Sequence, residues 1–316
     1  MRPRRPSSAA FLTALTAVVL GGCAARDATR QVNVENQAAR TEAALVAAGD
    51  PDSLEAAAIL GDDPESRLRL IGRAATAAPA RPDILWWQLQ LCSRVASCDP
   101  QPLAAHLHAL DPGNGAVWAA ALERGARLKD AAALQATLAA IANSERFSVY
   151  WNQSIAHTAG AVIRVRAMEP KSAFVAAIGA AAAQTIPYKR MTDFCRGRTL
   201  QQAADLATCR RLATVLGRGD TYLTEMVGLY LARRVWPERS AEYRAALEAR
   251  RVAQYRTQAD DRLTTRRRLD NTWVQGRLEL LATHDTEQDV VLADLTRAGL
   301  NPDPPEERRL GKWLPR

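Results

Sequence analysis

The chain has 316 residues, enough for one large domain or two ordinary ones, and 47% of them are apolar, which is enough for a hydrophobic core. Aromatic residues make up only 5% and alanine is abundant, so the composition argues against a β-rich fold and favours closely packed helices. The formal net charge is +8, carried by arginine far more than by lysine. This charge fits a solvated surface, contact with anionic lipid or contact with an acidic partner.

The first 22 residues have the layout of a bacterial export signal. Residues 1–6 are basic, residues 9–20 are uncharged and apolar, and small residues follow. The apolar stretch is shorter than the ~20 residues of a transmembrane helix, which favours a signal peptide over a permanent membrane span. Export also argues against nucleic acid as a partner of this basic chain.

The signal ends in Leu20-Gly21-Gly22-Cys23, which resembles the lipobox of bacterial lipoproteins. In that family the signal peptide, here residues 1–22, is removed and the cysteine is acylated. The resemblance therefore implies a lipid anchor on Cys23, with residues 23–34 as a tether. Ala24 stands where an aspartate would favour the inner membrane, so we expect an outer-membrane protein that faces the periplasm. An ordinary secretory signal with a chance cysteine is the alternative.

Four cysteines remain after Cys23, and an even number in an oxidising compartment predicts two disulfides. We expect the local pairs Cys92–Cys98 and Cys195–Cys209, although two other pairings are possible. Residues six apart on one helix point about 240° apart, so the first pair requires a helix to end between its cysteines. A zinc site is the alternative, but the sequence has no CxxC spacing, and we predict no metal.

Proline, glycine and aspartate punctuate a series of predicted helices along the chain. Asp111-Pro112-Gly113 ends one of them, and Asp220 is expected to cap another. The predicted segments are 54–60, 64–75, 82–95, 102–110, 172–183, 200–215, 221–231, 237–268 and 287–298. The sequence therefore predicts an all-α fold.

Trp86, Trp118 and Trp151 are separated by 32 and 33 residues, which indicates an internal repeat. The second tryptophan is followed by Asp130 and by a helix with a regular apolar face. This pattern resembles the tetratricopeptide repeat over about residues 50–170, although Leu122 stands where that family usually has a small residue. The resemblance implies an array of stacked helical hairpins whose concave surface binds a peptide or a partner helix.

The predicted organisation has three regions after the tether. Residues 35–170 form the tetratricopeptide-like solenoid, residues 171–300 form a helical C-terminal domain, and residues 301–316 form an irregular, proline-rich tail. The C-terminal half resembles no family.

Motifs of catalysis are absent from the sequence: it has no HExxH, GxSxG, P-loop or GxGxxG. His106 and His108 are two residues apart on a predicted helix, so they point to different sides. The carboxylate pairs Asp62-Asp63 and Asp260-Asp261 lie in loop-like or charged stretches and are interpreted as solvated surface. We therefore predict a chain that is not an enzyme and takes no cofactor.

A protein partner in the cell envelope is the leading hypothesis, with the chain as a scaffold or adaptor. Trp86 and Trp87 cannot share one helix face, so we expect one of them to reach a groove or a neighbouring element, and we take Trp87 as a partner-binding candidate. The second hypothesis is a lipoprotein that binds cell-wall glycan or lipid through tryptophans and arginines. An envelope enzyme is the third.

Overall fold

The computed structural model describes residues 36–267 and 270–305, except for the side chains of residues 198 and 199. The predicted signal peptide, Cys23, the tether and most of the predicted tail lie outside the described residues. Within the described ranges the fold is all-α, as predicted, and the only β-type pairs recorded there are two isolated bridges. The helices are α1 (residues 36–48), α2 (Pro51–Leu60), α3 (Pro64–Ala77), α4 (Pro82–Cys92), α5 (Pro100–Leu110), η1 (a 3₁₀ helix, Gly115–Trp118), α6 (Ala119–Leu128), α7 (Ala131–Ala142), α8 (Trp151–Arg164), α9 (Pro170–Ala182), α10 (Tyr188–Phe194), η2 (a 3₁₀ helix, Gly197–Gln201), α11 (Ala203–Leu216), α12 (Tyr222–Val235), α13 (Ala241–Arg267), α14 (Asn271–Thr283) and α15 (Glu287–Arg297).

Three helices begin at an Asp-Pro pair. Asp50, Asp63 and Asp99 are the N-caps of α2, α3 and α5, and each carboxylate accepts a hydrogen bond from a backbone N–H in the first turn. The proline that follows each aspartate occupies the first helical position, where a missing N–H costs nothing. These short sequence signals therefore fix where the helices begin.

Asp220 does not cap α12, contrary to the sequence-based prediction. Thr221 is the N-cap of that helix. The Asp220 carboxylate turns to the segment before α8, where it accepts hydrogen bonds of 3.0 Å from the backbone N–H groups of Val149 and Trp151. A buried carboxylate thus satisfies N–H groups at the start of a helix about 70 residues earlier in the chain.

Many helices that are adjacent in sequence pack as hairpins, and α8 contacts helices from distant parts of the chain. The hairpin neighbours include α2 with α3, α4 with α5, α6 with α7, α8 with α9, and α11 with α12. Helix α8 also packs against α2 and α14, and α7 packs against α11. One large hydrophobic core contains residues from both sides of position 170, so the two predicted regions pack together.

The three tryptophans of the proposed repeat occupy different places in their helices. Trp86 is the fifth residue of α4, Trp118 is the last residue of η1, and Trp151 is the first residue of α8. Their regular spacing therefore does not mark one repeated structural position. The array of helical hairpins is present, and the tetratricopeptide resemblance stays a prediction.

Both expected disulfides are present. Their Cα–Cα distances are 5.2 Å for Cys92–Cys98 and 5.6 Å for Cys195–Cys209. Helix α4 ends at Cys92, so the chain leaves the helix between the first two cysteines, as the bridge requires.

The prediction that both carboxylate pairs are solvated surface is wrong for Asp260-Asp261. Asp62 and Asp63 are exposed, but the Asp260 carboxylate is mostly buried against Arg277. The Arg277 guanidinium lies 2.9 Å from Asp260 and 2.9 Å from Asp294, and so joins α13, α14 and α15.

Between residues 36 and 305, in the parts described, no helix combines the length and the apolar character needed to cross a bilayer.

Candidate functional site

A group of charged side chains joins α2, the start of α4 and α8. Asp52 and Glu55 lie three residues apart on α2, on neighbouring positions of one helix face. Arg81 and Asp83 flank the proline that begins α4, and His157 lies on α8. These five residues are called the Arg81 cluster.

The Arg81 guanidinium lies between the acidic groups of this cluster. Its Nη1 donates to Asp52 Oδ1 at 3.0 Å, and its Nη2 donates to Glu55 Oε2 at 3.2 Å. Its Nε donates to Asp83 Oδ1 at 2.7 Å, and Nη2 also contacts the second oxygen of that carboxylate. The arginine therefore acts as the internal counter-ion of three carboxylates.

His157 has two neighbours that make opposite demands on one nitrogen. Its Nδ1 lies 2.6 Å from Arg81 Nη2 and 3.0 Å from Asp83 Oδ2. The guanidinium can only donate, so its contact needs a lone pair on Nδ1, whereas the carboxylate can accept only if Nδ1 carries a proton. Either protonation state leaves one of the two contacts unfavourable.

Glu55 is the most deeply buried acid of the cluster. Its side chain is fully buried, and its Oε1 atom has no hydrogen-bond partner among the described residues. Burial, together with the charges of Asp83 and Asp52, raises the pKa of Glu55 well above its usual value, and Arg81 opposes this shift. Glu55 therefore favours a bound proton or an additional cation.

The pKa of Asp83 is shifted in the opposite direction from that of Glu55. Burial alone would raise the pKa of Asp83, but hydrogen bonds from Arg81 and His157 lower it below the usual range. Asp83 is therefore ionised near neutral pH and adds to the negative charge that Glu55 experiences.

The outer edge of the cluster carries one more ion-pair group. Arg164 Nη2 lies 3.2 Å from Asp50 Oδ1 and 3.4 Å from Asp52 Oδ2. Two guanidinium groups thus face four carboxyl groups, which leaves two uncompensated negative charges when every carboxyl is ionised and His157 is neutral. This imbalance suits the binding of a cation.

The sequence alone does not reveal this cluster. His157 and the acids on α2 fall in no metal-binding or catalytic motif. The available signals were Asp52 and Glu55 at helical spacing and the Arg-Pro-Asp order at 81–83. Neither signal brings the three segments together, because that requires α2, α4 and α8 to pack.

The structure does not support Trp87 as a partner-binding residue. Its side chain is 2% exposed, and its Nε1 donates a hydrogen bond of 2.8 Å to Ser154 Oγ in the core. Helix α4 is enclosed on most sides, so Trp86 and Trp87 are both buried although they face different neighbours. Trp87 therefore offers no surface to a partner.

The other tryptophans also serve packing. Trp118, Trp151, Trp236 and Trp273 are half-buried and pack against the main core, so none of the six described tryptophans is exposed. The Arg210 guanidinium stacks on Trp236 at 4.2 Å from the ring centroid. The tryptophans that the structure describes therefore provide no open aromatic platform for a sugar ring.

A surface cleft of about 680 Å³ lies where α1 meets the turn between α8 and α9. Gln37 Nε2 donates to the carbonyl oxygen of Ala167 at 2.7 Å beside this cleft. The described residues that line it combine apolar and charged groups without an aromatic ring: Gln37, Ile163, Arg166, Ala167, Met168, Glu169, Pro170 and Ser172. The described lining therefore offers no aromatic ring on which a sugar could stack.

Comparison of the chain with protein-family models, with curated proteins and with solved structures finds no match in any of the three. What the chain does must therefore be inferred from its own residues and their geometry. The prediction that it is not an enzyme stays a prediction.

Proposed function

We propose that this chain is an exported helical scaffold, anchored in the outer membrane by lipid on Cys23, that binds another protein of the cell envelope. The pair of disulfides in an all-helical array carries this proposal. Disulfides persist in oxidising compartments and are rare in the bacterial cytosol, so they support export independently of the signal-like N-terminus.

The surface of the array supports a protein partner. Helical-hairpin arrays present extended surfaces that suit a peptide or a partner helix. Two large apolar side chains stand out from the helices, with Leu128 64% exposed and Leu223 63% exposed. We propose these two side chains and the cleft beside α1 as the places where the partner protein binds. Because the described tryptophans are packed, glycan binding through an aromatic groove has less support.

The anchor is tested by substitution at the lipobox. Cys23→Ser should leave the protein soluble in the periplasm or uncleaved, because no thiol then accepts the lipid. Ala24→Asp is the matched control: it keeps the lipid but should move the protein toward the inner-membrane fraction. Membrane fractionation and the mass of the mature N-terminus are measured. Full membrane retention of a processed Cys23→Ser protein contradicts the anchor.

The partner is tested by photo-crosslinking in intact cells. A photoreactive amino acid replaces Leu128 or Leu223, and the exposed Gln258 serves as the control position. We expect one envelope protein to be recovered reproducibly from at least one leucine position and not from the control. Recovery of lipid or glycan fragments without protein contradicts the scaffold function.

A further inference from the structure

We propose that Asp52, Glu55 and His157 form a binding site for a divalent transition-metal ion such as Zn²⁺. Their ligand atoms lie within 4.8 Å of one another. One imidazole nitrogen and two carboxylate oxygens make a ligand set that Zn²⁺ accepts readily. Three ligands from the protein leave a further coordination position for water.

The unpaired oxygen of Glu55 is the first observation that points to a ligand. The Glu55 side chain is fully buried, and its Oε2 faces Arg81 Nη2 at 3.2 Å and His157 Nδ1 at 3.9 Å. Its Oε1 has no hydrogen-bond partner within the described part of the chain. A buried oxygen without a partner is costly, and coordination of an ion to this carboxylate would offset that cost.

The charge of the cluster is the second observation. When all four carboxyl groups are ionised and His157 is neutral, the two guanidinium groups leave two negative charges, which favour a divalent cation. A monovalent internal cation, Arg81, does not neutralise its three carboxylates. A bound divalent ion would offset this negative charge.

His157 supplies the third observation. Metal ligation requires a neutral imidazole with a lone pair on the ligating nitrogen. A metal ion on Nδ1 would use this lone pair and remove the conflict between the two neighbours of that atom, Arg81 Nη2 and Asp83 Oδ2.

Arg81 competes with the ion in this arrangement. Its Nη2 lies between Glu55, Asp83 and His157, so it must turn toward solvent when the metal binds. The Arg81 side chain is 29% exposed, so part of it already reaches the solvent. The side chains of Asp52 and His157 are 27% and 30% exposed, so an ion can enter from solvent.

The full-length protein, treated with chelator and with its disulfides intact, is titrated with Zn²⁺ by calorimetry. The absorption bands of bound Co²⁺ report the ligands independently. We expect one ion per chain, and His157→Ala should weaken binding by about tenfold or more, the equivalent of losing one good ligand. His106→Ala, at an exposed histidine outside the cluster, is the matched control and should bind as the unmodified protein does.

Two further variants test the site if His157→Ala folds poorly. Glu55→Gln keeps the size of the side chain and should weaken Zn²⁺ binding, whereas Arg81→Met removes the competing cation and should tighten it. Circular dichroism establishes that each variant is folded. The proposal is overturned if the unmodified protein binds no Zn²⁺, or if His157→Ala binds it as tightly as the unmodified protein.

Discussion

The indole Nε1 of Trp87 donates a hydrogen bond of 2.8 Å to Ser154 Oγ, and this bond joins α4 to α8 in the core. The adjacent Trp86 points elsewhere and donates to Gln184 Oε1 at 3.0 Å. Two consecutive tryptophans thus hold two different neighbours, which is possible because α4 is surrounded by other helices. The two indole rings point to different sides of α4, and both sides are buried.

The Trp87–Ser154 pair should be coupled energetically. Ser154→Ala leaves a buried indole N–H without a partner, so we expect a loss of about 1–3 kcal/mol in the free energy of unfolding. Trp87→Phe should cost less in the Ser154→Ala background than in the unmodified protein, by about 1 kcal/mol. Urea unfolding of the four proteins measures this difference. Strictly additive losses would contradict the hydrogen bond.

Asp220 should make the stability depend on pH. Burial raises the pKa of Asp220 above its usual value of 3.8, although hydrogen bonds from Val149, Trp151 and Ser148 oppose the shift. The folded state therefore holds this proton more tightly than the unfolded chain does. The resulting stabilisation is complete below pH 3.8 and is lost as the pH rises through the raised pKa.

Asp220→Asn removes this titration and keeps one acceptor for the backbone N–H groups. The free energy of unfolding of the unmodified protein, minus that of Asp220→Asn, should therefore fall as the pH rises from acid toward neutral. The slope cannot exceed about 1.4 kcal/mol per pH unit for one group. Urea unfolding across this range measures the slope, with the exposed Asp62→Asn as the comparison. A difference that stays flat or increases with pH would show that the pKa is not raised.

Gly228 should tolerate no side chain. A Cβ atom at this position would lie 2.2 Å from the backbone nitrogen of Gly217, because α11 and α12 come into backbone contact there. Backbone atoms cannot move aside cheaply, so Gly228→Ala should lower the free energy of unfolding by about 3 kcal/mol. Denaturant unfolding followed by circular dichroism measures the change.

Gly179→Ala is the matched control for this substitution. Gly179 lies inside α9, and a Cβ atom there would meet nothing within 4 Å. Alanine should therefore stabilise the helix by about 0.5–1 kcal/mol. If the two substitutions had the same effect, the close approach of α11 and α12 would be wrong.

The two disulfides should contribute unequally. In the chain-entropy model, the 15-residue loop closed by Cys195–Cys209 stabilises the fold by about 3 kcal/mol, and the shorter loop of Cys92–Cys98 by roughly 2 kcal/mol. Double Cys→Ser variants of each pair test the order by urea unfolding. The unreduced protein should also show no free thiol on these four cysteines, and four reactive thiols in native material would contradict both bridges.

The sequence by itself determined the features that depend on nearby residues. Asp-Pro pairs predict helix starts because the carboxylate and the fixed proline φ act within one turn. The pairing of Cys92 with Cys98 followed from their short separation, and the all-α fold followed from composition and periodicity.

Only the tertiary structure decided the features that join distant segments. The hydrogen bonds of Asp220 to the start of α8, the burial of Trp87 and the assembly of the Arg81 cluster each require helices far apart in the sequence to pack. Local patterns carry no information on which helix covers which face. The proximity of Glu55 and His157, and with it the charge balance of the proposed metal site, is set by the contact between α2 and α8.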